Sequence, residues 1–372
     1  MVFVKLPVVI PLHITELSVD GFRNLHGVKL VPSPGGNVLL GDNGHGKTSV
    51  LEAIDYAASL RSFRGATRTQ LIGHEAKSAE ILMRVGGPSP SREYRLRLGR
   101  ASREITLDGK RPERAVEYFS GAACVVFHPG DLDLVRGPPE LRRRLLDRIL
   151  VRAVDGYGEA LKSYGKALRA RNALLREKHP NARAIQAYDF PVARYGSALV
   201  RARAVLAHDL VPAARRALDE VALSPDAIEL KYQPRASGDQ VAFTAALAEG
   251  LARDLARRST SLGPHGDDLA ITWSGLPARV VASQGQTRAL ALALRLAELH
   301  VLEARTRAIP VLLLDDVSSE LDRERTARLF KLVGALGAQV FVTTTDPAIA
   351  AMLPGARRFA VADGAVTPVG AG

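Results

Sequence analysis

Residues 41–48 read Gly41-Asp42-Asn43-Gly44-His45-Gly46-Lys47-Thr48 and satisfy G-x-x-x-x-G-K-[ST] at every required position. The apolar run Val38-Leu39-Leu40 precedes them. Behind them Leu51, Ile54 and Ala58 fall on one face of a helix expected over residues 49–61. Strand, glycine-rich turn, helix is the context in which this pattern cradles a nucleotide. Glycines let consecutive backbone N–H groups curl about a β-phosphate, and the helix amino terminus adds its partial positive charge. Lys47 can reach the β- and γ-phosphates, and the Thr48 hydroxyl suits a coordination position on Mg²⁺.

A second stretch completes such a site. Val311-Leu312-Leu313-Leu314-Asp315-Asp316 is a continuous apolar run ending in two carboxylates. Four successive apolar residues suit a strand buried on both faces. Asp315 at its carboxyl end is expected beside the phosphate loop, holding Mg²⁺ together with Thr48. Asp316 is expected to orient or deprotonate an attacking water, with a helix cap as its competing role. A third stretch, Ser283-Gln284-Gly285-Gln286, opens a helical segment. A Ser, a Gly and a helix amino terminus make an anion site. Residues 41–48 already serve the chain's own nucleotide, so this one suits a nucleotide on another copy; a plain Ser cap is the alternative.

Composition narrows the partner. The 372 residues carry 51 Lys and Arg against 39 Asp and Glu, a formal net charge of +12, which favours an anionic partner such as nucleic acid. Between Arg136 and Arg203 there are 16 Lys and Arg against six Asp and Glu, so the excess is concentrated there. Arg142, Arg143, Arg144, Lys162, Lys166 and Arg169 are the candidate DNA contacts, of the salt-sensitive, sequence-independent kind. A solvated helical face is the alternative. Tyr157, Tyr164, Tyr188 and Tyr195 are few for stacking on single-stranded bases. A single cysteine, Cys124, excludes an intrachain disulfide and suits the cytoplasm; it lies in an apolar run as a small buried hydrophobe. No Cys/His spacing fits zinc and no Ser–His–Asp arrangement stands out. No apolar run approaches the ~20 residues of a membrane span, so no membrane partner is expected. The opening MVFVKLPVVIPL, with Pro7 and Pro11 inside it, reads as a leader before the first strand and not as a signal peptide.

Periodicity gives strands at 14–19, 38–40, 79–85, 93–98, 123–127, 269–273, 311–314 and 339–342. Helical patterns cover 158–177, 184–210, 286–304 and 323–334, and one begins at Glu140 with Leu141, Leu145, Leu146, Ile149 and Leu150 on a stripe. Asp108-Gly109 marks a hairpin turn. Strand and helix alternate at both ends of the chain, which predicts a parallel sheet, while the middle is helical. The expected fold is therefore α/β: a P-loop head built from both chain ends, 1–134 and 259–372, with an inserted α-helical domain at 135–258.

The order of these motifs, followed by Ser319-Glu320-Leu321-Asp322, resembles the ABC-type ATPase heads of DNA repair and chromosome proteins. The chain is most similar to the RecF family, from about residue 12 to 361. The blocks that carry the likeness include Phe22-Arg23-Asn24-Leu25, Arg61-Ser62-Phe63-Arg64, Pro129-Gly130-Asp131-Leu132, Arg171-Asn172-Ala173-Leu174-Leu175 and Gly263-Pro264-His265-Gly266-Asp267-Asp268-Leu269. The resemblance implies ATP and Mg²⁺ as cofactors. It implies Ser283, Gly285 and Gln286 as a signature acting on the partner's γ-phosphate, and Ser319 and Asp322 as an interface loop. Arg23 and Asn24 stand where such heads contact nucleotide, and Gln70 where a Gln senses Mg²⁺ and water. His265 reads as a turn or packing residue rather than a ligand, with Asp267 and Asp268 beside it as the link to the nucleotide face. The usual switch histidine is missing; Thr343-Thr344-Thr345 occupies its place, with Thr345 the nearest equivalent. Ala282 and Gln284 replace the common Leu and Gly, which fits slow hydrolysis.

What the family implies is a cytoplasmic, slow, DNA-stimulated ATPase that dimerises with ATP and binds single-stranded or gapped DNA. It would act with RecR and RecO to load recombinase in repair, replication restart and the SOS response. Two other readings stand beside it. A long-coiled-coil chromosome ATPase is opposed by residues 140–177, which span under ~60 Å even if wholly helical and are interrupted by Gly156 and Gly158. A small-molecule kinase would not need residues 283–286 or 319–322.

Overall fold

The structure is a computed structural model that describes residues 9–87, 90–119, 121–221, 228–316 and 323–370. It forms two compact units. One comprises Met1–Leu132, Arg216–Pro225 and Arg288–Gly372; the other comprises Asp133–Arg215 and Asp226–Thr287.

In the first unit the apolar runs that end at the phosphate loop and at Asp315 become neighbours in one sheet. Among the described residues its strand order is Ala365–Val369, Arg357–Ala362, Gly36–Leu40, Val340–Thr344, Val311–Leu314 and Cys124–Phe127. All pairings are parallel except that of the first, edge strand, as the alternation of strand and helix predicts. Leu314 pairs with Val342 and Phe127, and Val342 with Val38, so the carboxyl ends of these strands share one edge. In open α/β sheets that edge is where ligands bind.

A second sheet is antiparallel, in the order Val28–Leu30, His13–Asp20, Ser78–Gly86, Arg92–Gly99 and Arg103–Leu107. Its strands alternate: Ile81, Met83, Tyr94, Leu96 and Leu98 are buried, while Glu80, Arg95 and Arg97 face out. The outer face carries ion pairs such as Arg97–Glu80 at 3.0 Å and Arg84–Glu93 at 3.0 Å. The helix Lys47–Ser59 lies between the two sheets and touches both. That position explains a difference from the single apolar stripe read in sequence. Glu52 and Asp55 are buried along with Leu51, Ile54 and Ala58, because a middle layer has no solvent face.

The second unit is richer in strand than expected. Besides the helices Pro139–Ala153, Tyr157–Leu175, Gln240–Glu249 and Leu251–Arg257, it contains an antiparallel sheet of Leu276–Pro277, Asp268–Trp273 and Ile228–Gln233. This ladder ties residues 259–287 to the second unit, so the boundary falls after Thr287 and not at 258. The expected helix 184–210 is two helices, Ala182–Gln186 and Asp189–Val221. The break places Asp189 on Arg171. That guanidinium is fully buried and bonded to Asp189 at 2.9 Å, Asp254 at 2.7 Å and Thr260 at 2.9 Å.

Candidate nucleotide site

Residues 41–46 form the turn between the strand Gly36–Leu40 and the helix Lys47–Ser59. Two of its glycines are required sterically. A Cβ on Gly41 would come within 2.1 Å of the Val361 carbonyl oxygen. Gly46 has φ 113° and sits against Leu25 and Asn24. Among the described residues no side chain caps the helix, and its first turn carries no acidic residue. Its uncapped N–H groups are suited to an anion. Asn24 braces the loop, donating to the Gly44 carbonyl at 3.1 Å and accepting from the Ser49 hydroxyl at 2.8 Å. His45 is held from the carboxyl-terminal hairpin: the Asp363 N–H donates to its Nδ1 at 2.9 Å and the Gly364 N–H to its carbonyl at 3.0 Å.

Lys47 Nζ donates to the carbonyls of Gly41 at 2.7 Å and Asp42 at 2.8 Å. Burial lowers its pKa from the ordinary lysine value, against the pull of Asp316, Asp315 and Asp42. The Thr48 hydroxyl donates to Asp315 Oδ1 at 2.8 Å, which joins the phosphate loop to the acidic strand end as the sequence predicts. Burial pushes the Asp315 carboxyl above its usual range, while hydrogen bonds from Thr343 and Thr48 draw it back. A hydroxyl and a carboxylate this close are the hard oxygen donors Mg²⁺ accepts when phosphates and waters complete its shell.

These residues line a cavity of about 960 Å³, with Arg23, Asn24, Asn43, Gly44, Lys47, Thr48, Asp315 and Asp316 on its wall. Gln70 also lines it, though its Oε1 accepts from the Thr67 N–H at 2.8 Å. Arg23 grips the buried Glu52 through two bonds of 2.9 Å. The wall has members that sequence reasoning missed, Arg64, Arg100 and His74, and it includes Thr343 of the triplet. Arg64 lay in a recognised block, but nothing local assigned it to the cavity. Thr343, and not the exposed Thr345, is the residue of its triplet that reaches Asp315, at 2.8 Å.

The other candidates fall elsewhere. Ser283 and Gln286 bond each other reciprocally, Ser283 N–H to Gln286 Oε1 at 2.8 Å and Gln286 N–H to Ser283 Oγ at 3.2 Å. This is a capping box, the alternative role for Ser283, which remains exposed within it. Ser319 and Asp322 lie outside the described residues. Asp267 is buried and accepts from Arg203 at 3.0 Å; His265 is bonded to Tyr164 at 2.6 Å; neither lines the cavity. Arg142 must be withdrawn from the DNA candidates. It is 5% exposed, clamps Asp268 at 2.7 and 3.0 Å and donates to the carbonyls of Leu134 and Gly137. Arg143 is half-buried and donates to the Asp267 carbonyl at 2.7 Å. Arg144, Lys162, Lys166 and Arg169 are exposed.

The family model described as the RecF/RecN/SMC N terminal domain matches residues 13–358. The DNA replication and repair protein RecF of Myxococcus xanthus is 38% identical over 346 residues, covering 90% of this chain and 91% of that protein. The protein of the same description from Geobacter sulfurreducens is 35% identical over 367 residues, covering 96% and 100%. A solved structure of the recombination mediator protein RecF with ATP, in the RecFOR pathway, superposes with a TM-score of 0.88 at 30% identity, covering 97% of this chain and 100% of that one. The Smc head domain of Pyrococcus furiosus, at 16% identity and a TM-score of 0.55, shares the fold. Likeness at this level runs the length of the chain and is not confined to its phosphate loop; the chain belongs to the RecF family of DNA replication and repair proteins, on an ABC-type ATPase fold.

Proposed function

We propose that the chain binds Mg·ATP in the cavity beside residues 41–48 and uses it to switch between a monomer and a DNA-bound homodimer. The observation that carries this reading is the 2.8 Å bond from Thr48 to Asp315, which brings a phosphate loop and a buried carboxylate together on one cavity wall. The ATP-bound RecF relative supports it. In this reading the loop N–H groups and Lys47 hold the β- and γ-phosphates, and Thr48 and Asp315 hold the cation. Mg²⁺ supplies charge neutralisation on the phosphates. Asp316 orients the water and accepts its proton. Ser283, Gly285 and Gln286 cap the triphosphate of a second copy, with Ser319 and Asp322 at the interface.

DNA, single-stranded or gapped, is assigned to the exposed cations of the second unit. Lys162, Lys166 and Arg169 stand at spacings of four and three on the outer face of the helix Tyr157–Leu175, whose inner face buries Tyr157, Tyr164, Ala167, Arg171 and Leu175. Work in the cytoplasm with RecR and RecO, in recombinase loading and SOS induction, completes the proposal. The RecF relatives and the single cysteine, Cys124, support it.

Sedimentation with and without ATP and gapped DNA tests the switch. The wild type should dimerise with ATP. Lys47→Met should lose ATP binding and stay monomeric, and Asp316→Asn should persist as the ATP-bound dimer. A wild type and an Asp316→Asn variant that both stay monomeric in saturating ATP would refute it.

A further inference from the structure

The hydroxyl of Thr343 is engaged in two directions. It donates to Asp315 Oδ1 at 2.8 Å and accepts the N–H of Asp316 at 2.9 Å. Strand register produces this meeting: Leu314 pairs with Val342, so Thr343 and Asp315 stand one step beyond on adjacent parallel strands. Thr343 is 1% exposed, and it lines the cavity together with both aspartates. On its other side the Asp315 N–H donates to the Phe127 carbonyl at 2.8 Å. There the chain leaves the sheet. Asp316 has φ 51°, in the left-handed region that residues with a Cβ seldom adopt. A backbone N–H in such a turn needs an acceptor, and Thr343 supplies one.

Two hydroxyls thus meet the same oxygen of Asp315, one from the phosphate loop and one from the sheet. Thr48 is the one with a second task, since it is also the cation ligand of the proposed site. Thr343 has no place in that ligand set. We propose that Thr343 is a positioning residue: it fixes the Asp315 carboxylate and the Asp316 turn as one rigid unit, so that Asp315 keeps its orientation when the Thr48 hydroxyl turns to a cation. This rests on the Mg·ATP reading above and adds a residue to it.

Thr343→Val keeps the β-branched shape and deletes the hydroxyl, whereas Thr343→Ser keeps the hydroxyl. In the nucleotide-free protein, Thr343→Val should raise the unfolding equilibrium constant about tenfold. Part of that loss should disappear in an Asp315→Ala background, where the carboxylate partner of the hydroxyl is already gone. ATP affinity in EDTA should stay within about threefold of wild type, while the tightening produced by Mg²⁺ and the turnover rate should each fall about tenfold or more. Thr343→Ser should recover most of both. Additive effects in the Thr343/Asp315 cycle would overturn the proposal. So would equal weakening of ATP binding with and without Mg²⁺, which marks simple packing. A wild type that fails to bind ATP would instead remove the nucleotide reading, and the nucleotide-free cycle would still decide whether Thr343 holds the Asp315 carboxylate.

Discussion

Asp131 and Asp315 are both buried carboxylates of the first unit, and their partners give them opposite characters. Burial pushes the Asp131 carboxyl up, but the Arg295 guanidinium, at 3.1 and 2.5 Å, with help from His128, brings it below the ordinary carboxylate value. Asp315 has hydroxyl partners, and there burial prevails and the pKa rises. The first carboxyl is held by a guanidinium and the second by two hydroxyls. The sign of the Asp131 shift gives a prediction. A carboxyl depressed in the folded state stabilises it above the unfolded value of 3.8, and that stability is lost as pH falls through the lower folded value. Asp131→Asn leaves the buried Arg295 with Glu298, at 2.7 Å, as its remaining carboxylate partner. It should cost about 3–5 kcal/mol at pH 7. Denaturant titrations at pH 7 and near pH 3 should show the variant's deficit shrinking at the acid end. A deficit independent of pH would contradict the pairing.

At the scale of elements, the phosphate loop is braced by a hairpin far along the chain. Asp363 and Gly364, at φ 47° and 78°, make the turn between Arg357–Ala362 and Ala365–Val369, and both N–H groups reach His45. A Cβ on Gly364 would fall 1.9 Å from the Asn24 carbonyl oxygen, and Asn24 itself holds the loop. Gly364→Ala should therefore destabilise the fold by roughly 2 kcal/mol or more and weaken ATP binding with it. Calorimetry and a fluorescent-nucleotide titration check both, and a variant that loses stability at full affinity would show that the brace does not shape the loop. Asp108-Gly109, with φ 52° and 77°, is the same signal and was legible as a turn because its two residues are contiguous; it closes a single bridge between Leu107 and Lys110, while the hairpin of Arg92–Gly99 and Arg103–Leu107 turns at residues 100–102. The phosphate loop and the run ending at Asp315 were legible for a like reason: each is a contiguous pattern with its own strand. Thr343 was not, since its meeting with Asp315 depends on which strand lies beside Val311–Leu314 and in what register. The antiparallel ladder that gathers residues 259–287 into the second unit was hidden in the same way.

For the molecule as a whole, the basic excess between Arg136 and Arg203 divides into two populations that composition cannot separate. Arg142, Arg171 and Arg203 are buried struts, each bonded to aspartates: Asp268 for the first, Asp189 and Asp254 for the second, Asp147 and Asp267 for the third. A guanidinium committed to a buried carboxylate is unavailable to a phosphate. Removing it strands the partner charge, at about 3–5 kcal/mol. Lys162, Lys166 and Arg169 are exposed along one helix face and are free of that structural duty. The two populations should respond differently to substitution. Arg142→Ala should lower the unfolding midpoint sharply, and any loss of DNA binding should track the unfolded fraction. Reversing Lys162, Lys166 and Arg169 to Glu together should leave the midpoint nearly unchanged. Their loss should weaken binding to gapped DNA uniformly across sequences and reduce the slope of log affinity against log salt by roughly 2 to 3, at ~0.9 per lost phosphate contact. An unchanged slope in a folded triple variant would take DNA off this face and direct the search to the remaining exposed cations.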